Sequence, residues 1–330
     1  MCGINQWKYI EIFGNTQLDW FRKYFAYENG IPSNVTLGRL FASIDSVEFG
    51  QLFIHWVKST GLVKTNKQVT IDGKRLRGSY DKASDQPALH MVSAFAAEAG
   101  VCIAQKSCDA KSNEITAIPE ILEQIDKGSV ITIDAIGCQK DIAKKIINNK
   151  SDYILAVKQN QEELHHEVKK MFEINKKPSV NQTVDIGHGR IETRKCTVVT
   201  NLKFMDVAQE WKGLKSVVKV DTERIIKLTS EVETNTRYYI SSLDHDACKF
   251  NQYIRKHWTI ENNLHWVLDE VFKEDKSRRR KGNSPENFNI IAKMAMALLI
   301  KTKKKNQAFD EIRAKAGWSC DFRDTILKFK

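Results

Sequence analysis

From Lys67 to Phe172, short β-branched runs alternate with amphipathic stretches, and this alternation constrains the fold more than any other feature of the chain. "KQVTID" (Lys67 to Asp72) and "SVITID" (Ser129 to Asp134) are apolar strands that each end in an acid. Between them, "LHMVSAFAA" (Leu89 to Ala97) and "VCIAQKS" (Val101 to Ser107) flank a turn at Glu98–Gly100 and predict a hairpin. "EITAIPEILEQI" (Glu114 to Ile125) predicts a helix in which Pro119 is an irregularity. A helix from Gln139 to Asn148, the strand "YILAVK" (Tyr153 to Lys158) and a helix from Gln161 to Phe172 continue the pattern. Strands alternating with helices specify an α/β domain.

Both flanks differ. Residues 1–65 read as a small helical module, with Trp7, Ile10 and Phe13, then Leu18, Phe21 and Phe25, at helical spacing. "NGIPS" (Asn29 to Ser33) is a turn, and Ser33 is placed to cap the next helix. Leu37, Leu40, Phe41 and Ile44, then Val47, Leu52, Phe53, Trp56 and Val57, extend the stripes. Residues 66–330 form the second unit. Within it, residues of about 180–243 read as a β-rich insertion: strand flanks around Gly187–Arg190, "SVVKV" (Ser216 to Val220), a run around Ile225 to Leu228, and "RYYISSL" (Arg237 to Leu243). From about Asp246 the chain is expected to be helical to its end.

Composition excludes several classes. The longest apolar stretch, Ile290 to Ile300, has 11 residues and is broken by Lys293. A membrane helix needs about 20, so no spanning segment is expected. Lys8 and Glu11 interrupt any apolar run near Met1, so no signal peptide is expected. The seven cysteines form no C-x-x-C pair and read as reduced, cytoplasmic thiols rather than a disulfide framework or zinc site. Apolar residues are 42% of the chain, enough for a core, and the net charge is +11. That charge is uneven: residues 1–65 carry a net +1, whereas residues 273–330 carry sixteen basic and seven acidic side chains, a net +9. Such a basic helical C-terminus points to a polyanion, nucleic acid first, with a lysine-rich solvated surface as the alternative.

Asp72 and Asp134 share one context, since each closes an apolar strand before a polar or glycine-containing turn. On neighbouring strands they would meet at one rim of a sheet. Converging carboxylates repel as bare anions, and a divalent cation such as Mg²⁺ or Mn²⁺ relieves that repulsion. Strand-end turn residues are the plainer alternative. Further on, "RKHWTIENNLHWVLDEVF" (Arg255 to Phe272) is helical, with Ile260, Leu264, Val267 and Val271 as its apolar stripe. His257, Glu261 and His265 lie beside that stripe at steps of four, so Glu261 can face a sheet rim. The two histidines with Glu261 leave a zinc site as an alternative.

These residues carry a resemblance. "IDGKRLRGS" (Ile71 to Ser79), "KSNEITAIPEIL" (Lys111 to Leu122), "ITIDAIGCQKDIAKKI" (Ile131 to Ile146), "GHGRIETR" (Gly187 to Arg194), "RYYISSL", "HWTIENNLHWVLDEVFKED" (His257 to Asp275) and "RKGNSPEN" (Arg280 to Asn287) stand in order along the chain. In them the sequence resembles the H-repeat-associated, ISAs-type insertion-sequence transposases, which are DDE enzymes. The resemblance implies an RNase H-like mixed-sheet catalytic core with the β-rich insertion between the second Asp and the Glu. It implies that Asp72, Asp134 and Glu261 are the catalytic, metal-binding acids. It also implies Mg²⁺-dependent cleavage and joining of double-stranded DNA, with the inverted-repeat ends and the target as partners. Related transposases often place Tyr and Arg on the last catalytic helix; here His257 stands four before Glu261 and Ile254 seven before, which leaves a hairpin-forming pathway open. Family members carry a further helical stretch before the segment resembling "INQWKYIEIFG", so the first module is expected to be a shortened copy.

The chemistry expected is two-ion phosphodiester transfer, with the ions about 4 Å apart and no protein nucleophile. Lys74, Arg75 and Arg77 beside Asp72, His188 and Arg190 near a hairpin tip, Arg255 and Lys256 before Glu261, and Arg278, Arg279, Arg280 and Lys281 are the candidates for DNA contact. A solvated surface is the alternative for each. A homodimer in a synaptic complex, with the protein on the nucleoid when bound to DNA, belongs to the same expectation. The rival readings are a decayed or repurposed DNA-binding protein and a host nuclease with the same core.

Overall fold

The structure is a computed structural model and describes residues 1–63, 67–80, 87–108, 114–187 and 189–327. Four helices come first: α1 (Trp7–Thr16), α2 (Leu18–Arg22), α3 (Asn34–Ser43) and α4 (Ser46–Ser59). Ser33 caps α3 as its sequence position foretells, accepting from the Thr36 N–H at 3.2 Å. Asp45 caps α4 by accepting from Val47 and Glu48 N–H, each at 2.9 Å.

The alternating region gives β1 (Gln68–Arg75), β2 (His90–Ala96), β3 (Val101–Cys108), α5 (Glu114–Leu122), β4 (Val130–Ile133), α6 (Lys140–Asn148), β5 (Asp152–Val157) and α7 (Glu162–Ile174). Pro119 lies inside α5 rather than breaking it. The β-rich stretch gives β6 (Ser179–Gly187), β7 (Arg190–Val199), β8 (Ser216–Ile226) and β9 (Val232–Ser241). The two runs expected at 216–220 and 225–228 are therefore one strand. Asp221 to Arg224 bridge them because both ladder partners continue: Thr222 pairs with Arg194 and Asn235, so hydrogen bonding carries the strand through a polar run. The chain then forms α8 (Ala247–His257), α9 (Ser284–Thr302), α10 (Phe309–Trp318) and α11 (Cys320–Leu327).

All nine strands share one sheet in the order β3-β2-β1-β4-β5-β9-β8-β7-β6. β1 runs parallel to β4, and β4 to β5, while β2 and β3 are antiparallel neighbours on the other side. The five-strand half, ordered β3-β2-β1-β4-β5, is an RNase H-like core. β9 pairs antiparallel with β5 and continues the sheet through the β8, β7 and β6 meander.

Val69, Ile71, Ile131 and Ile133 are buried in one cluster with Ile118 of α5, Ile142 and Ile146 of α6 and Val168 of α7. Val130, Ile154, Val218 and Tyr239 are buried in a second cluster with Ala247, Phe250 and Ile254 of α8. Side chains alternate along a strand, so Thr132 and the position of Asp134 share Val130's face, the one under α8. The first helices are packed onto the last: Asn287 Nδ2 donates to the Phe41 and Ile44 carbonyls at 2.9 Å, and Trp20 Nε1 donates to Asp324 at 2.7 Å. Among the described residues all seven cysteines are free, and no helix is long and apolar enough to cross a membrane.

Candidate active site

β1 and β4 are parallel neighbours whose last paired positions are Ile71 and Ile133. The next residue on each strand is an aspartate, Asp72 and Asp134. The β1 and β4 pairing stops there while β1 goes on against β2, which opens a crevice at the carboxyl ends of the parallel strands. This is the switch point where open α/β sheets place their ligands. Each aspartate is fixed by the backbone that follows it: Asp72 Oδ1 accepts from the Gly73 N–H and Asp134 Oδ1 from the Ile136 N–H, both at 3.0 Å. Glu114 and His90 close over Gly73: a Cβ there would come within 2.2 Å of Glu114 Oε1 and 2.4 Å of His90 Nε2, so those side-chain ends would have to move aside. Glu114, held by His90 at 2.8 Å, thereby stands as a further carboxylate against the strand end.

After α8 the chain winds into two π-helical turns, Glu261–His265 and Val267–Val271. Their backbone N–H groups reach back five residues, Trp266 to Glu261 and Phe272 to Val267. The sequence predicts a helix here; its wider winding keeps His257, Glu261, His265 and Asp269, four apart, along one side above the strand ends. His257 Nδ1 meets Thr132 Oγ1 at 3.0 Å, His265 Nδ1 lies 3.6 Å from Asp72 Oδ2, and Asp269 takes an ion pair from Lys74. Asp72, Asp134 and Glu261 line one open cleft of about 870 Å³.

The cleft is electrostatically unfavourable for bare anions. Burial, then Asp134, Glu114 and Glu261, push the Asp72 carboxyl up to about 8, against the opposing Gly73 hydrogen bond. Burial and Glu114 also raise Asp134. Burial takes His265 down to about 3, with Lys293 and Lys74 adding to it, and its Nδ1 stands 3.6 Å from Asp72 Oδ2. Burial, helped by Arg237, takes His257 down to about 4. His257 is engaged with Thr132, and among the described residues no three His, Cys, Asp or Glu gather closely enough to hold a metal between them, which applies to the two histidines with Glu261 and to the three acids alike.

The basic candidates divide. Arg75, Arg77, Arg190, Arg278, Arg280 and Lys281 are exposed. Arg255 pairs with Asp185 and Lys256 with Glu98 on the surface. His188 lies outside the described residues. Two expectations are corrected. Lys74 is engaged internally: its ammonium is largely buried between Asp269 and Glu274, because Lys74 lies on the same strand face as Asp72 and turns under the π-helical turns. Arg279 is also internal, 8% exposed, with its guanidinium between the rings of Trp7 at 4.4 Å and Phe288 at 3.3 Å, and hydrogen-bonded to the Asn5 carbonyl and Ser277. Glu114 and Lys293 were not singled out as site residues by sequence. Lys293 breaks the longest apolar run, which is the one trace it leaves; it is buried on Ser93 and Gln105, in the sheet row beside Asp72.

Residues 59–299 match the family described as "Transposase DDE domain", and residues 1–57 match "DDE_Tnp_1-associated". The chain belongs to the transposase DDE domain family. It is similar to "Putative transposase YncI" of Escherichia coli O157:H7, 45% identical over 327 residues that cover 94% of this chain and 84% of that relative. It is likewise similar to "H repeat-associated putative transposase YhhI" of Escherichia coli strain K12, 42% identical over 99% of this chain and 89% of that one. A solved piggyBac transposase synaptic complex with hairpin DNA matches 98% of this chain and 73% of its own at 12% identity, with a TM-score of 0.45. DNA transposition and recombination fit the family, whose DDE enzymes in general use divalent metal ions.

The donor set here suits such an ion. Asp72 and Asp134 offer hard oxygens on adjacent strands, and burial first, then neighbouring carboxylates, disfavours both as bare anions. Two carboxylates with open cleft beside them fit Mg²⁺, which binds through one or two carboxylates, several waters and substrate phosphates.

Proposed function

We propose that the chain is an insertion-sequence transposase that cleaves duplex DNA at the element's inverted-repeat ends and joins those ends to a target. The observation that carries this reading is that the aspartates following the last paired residues of β1 and β4 line one cleft with Glu261. In this reading residues 66–330 are the catalytic unit, residues 1–65 its helical module, and residues of about 180–243 an insertion between Asp134 and Glu261.

Asp72, Asp134 and Glu261 would hold Mg²⁺ or Mn²⁺. When bound, such ions activate water and the freed 3′-hydroxyl for in-line attack and stabilise the leaving oxygen. The chain's own part is positioning. The Gly73 and Ile136 N–H groups hold the two aspartates, and Asn160 Nδ2, donating to the Ala135 carbonyl at 2.8 Å, pins the loop after Asp134. Neither Ser79 nor Cys138 is set up as a nucleophile. Ser79 Oγ donates to the Leu76 carbonyl and accepts from the Leu89 N–H, and burial pushes the Cys138 thiol up to about 12. In this reading the attacking oxygen comes from water and then from the freed 3′-hydroxyl.

The test is cleavage of a duplex carrying the ends that flank the coding sequence. Cutting is expected with Mg²⁺ and none with EDTA. Asp134→Asn keeps the size of the side chain and removes its charge; it is expected to abolish cleavage while DNA affinity stays near wild type. Mg²⁺-dependent cutting by the purified variant would sink the assignment. Binding without cutting by the wild type would favour the repurposed DNA-binding protein.

A further inference from the structure

Arg237 opens the "RYYISSL" stretch on β9, and nothing in the chemistry above uses it. It stands where two clefts meet. One holds the three acids; the other is a groove of about 630 Å³ across the outer strands, and Asn235, Arg237, Trp258 and Glu261 wall both. The other arginines along that groove are mostly spoken for: Arg194 pairs with Glu192, Arg224 with Glu192 and Glu233, and Arg255 with Asp185. Arg237 is exposed yet, among the described residues, has no carboxylate within ion-pair reach. Its guanidinium carbon lies 4.3 Å from the centre of the Trp258 ring. Stacking on an indole fixes the plane of a guanidinium; one edge donor meets the Tyr239 hydroxyl and the others remain, which suits capture of a phosphate better than a lysine ammonium would.

We infer that Arg237 binds the backbone phosphate of the DNA strand leaving the acid cleft, next to the phosphodiester that is cut. The inference rests on the transposase reading for its substrate, and for its site on Arg237's exposed guanidinium beside Glu261, stacked on Trp258, hydrogen-bonded to Tyr239 and without a carboxylate partner among the described residues. The groove beyond, towards Arg190, is the path that strand takes.

A scan of neutral methylphosphonates, one position at a time around the cleavage site of the end-bearing duplex, tests it with the full chain. At one position beside the cut, neutralisation is expected to weaken wild-type binding about tenfold and to leave Arg237→Ala unaffected, because the variant has already lost that contact. Arg237→Ala should also flatten the dependence of log affinity on log salt by about 0.9. Arg237→Lys should recover the slope but not the full affinity, since it restores a charge without the fork. Should Arg237→Ala not fold, Arg237→Gln, compared at the same positions, replaces it. Equal responses of wild type and variant at every phosphate would overturn the inference. A wild type that cuts with equal responses refutes Arg237's role alone, whereas one that never cuts but shows the phosphate-specific difference refutes the cleavage reading alone.

Discussion

His257 shows how one side chain is set by what lies over it. Its ring packs between α8 and the strand ends, bonded to Thr132 Oγ1, and burial holds it neutral at about 4 rather than 6.5. Because the folded value is depressed, the unfolded chain binds the proton first as the solution is acidified. The stability tied to the neutral ring is complete above pH 6.5 and is lost as pH falls towards 4. A shift of that size corresponds to roughly 3 kcal/mol. His257→Asn can still bond Thr132 but cannot titrate. Its unfolding free energy, followed by denaturant titration at several pH values, should fall from pH 7 to pH 4 by about 3 kcal/mol less than that of the wild type. Parallel curves for the two proteins would show that His257 does not carry the acid sensitivity.

At the level of elements, β1 and the π-helical turns are joined by Lys74, whose ammonium sits between Asp269 and Glu274, while Asn289 Nδ2 holds the other oxygen of Glu274 at 2.6 Å. Removing one partner of a buried ion pair leaves unpaired charge and costs about 3–5 kcal/mol. Lys74→Met is therefore expected to destabilise the fold by about 3 kcal/mol, read as a lower denaturation midpoint, without changing the salt dependence of DNA binding. A stable variant with a flatter salt slope would instead place Lys74 on DNA. Much of this architecture is legible in the sequence. β1 and β4 are β-branched runs that must be buried on both faces, so an acid at the end of each marks a rim. The step of four from His257 to His265 places Glu261 above it. What the sequence does not show is which cations are used internally. Lys74 and Arg75 look alike in a basic run, yet strand alternation sends Lys74 beneath Asp269, 195 residues away, and leaves Arg75 exposed. Arg279 differs from Arg278 and Arg280 by meeting Trp7, Phe288 and the Asn5 carbonyl, contacts that no local pattern encodes. Glu114 is equally silent, since its approach depends on a missing Cβ at Gly73.

Across the whole molecule the positive charge gathers where the two ends of the chain meet. Arg278, Arg280 and Lys281 stay exposed and, with Lys273, Lys276 and Arg39, line a groove of about 1270 Å³ against α1 and α3. The net +9 of residues 273–330 includes the buried Arg279, Lys293, Arg313 and Arg323, and residues 1–65 carry a net +1, so what is left to meet a polyanion is the exposed part of that charge. Phosphates can neutralise it and release condensed counterions as they do, each contributing about −0.9 to the slope of log affinity against log salt. Arg279 must stay in place in any test of this surface, because its stacked guanidinium holds Trp7 and Phe288 together and its loss would disturb the fold. Replacing Arg278, Arg280 and Lys281 by Ala is therefore expected to leave the melting temperature close to wild type and to flatten the salt slope by about two to three units. The loss should be alike for unrelated duplexes, since backbone contacts position DNA without reading its sequence. Affinities measured from about 50 to 200 mM salt span the range in which such a slope is resolved. An unchanged slope in the folded triple variant would remove this groove from the DNA path and leave the charge as a solvated surface.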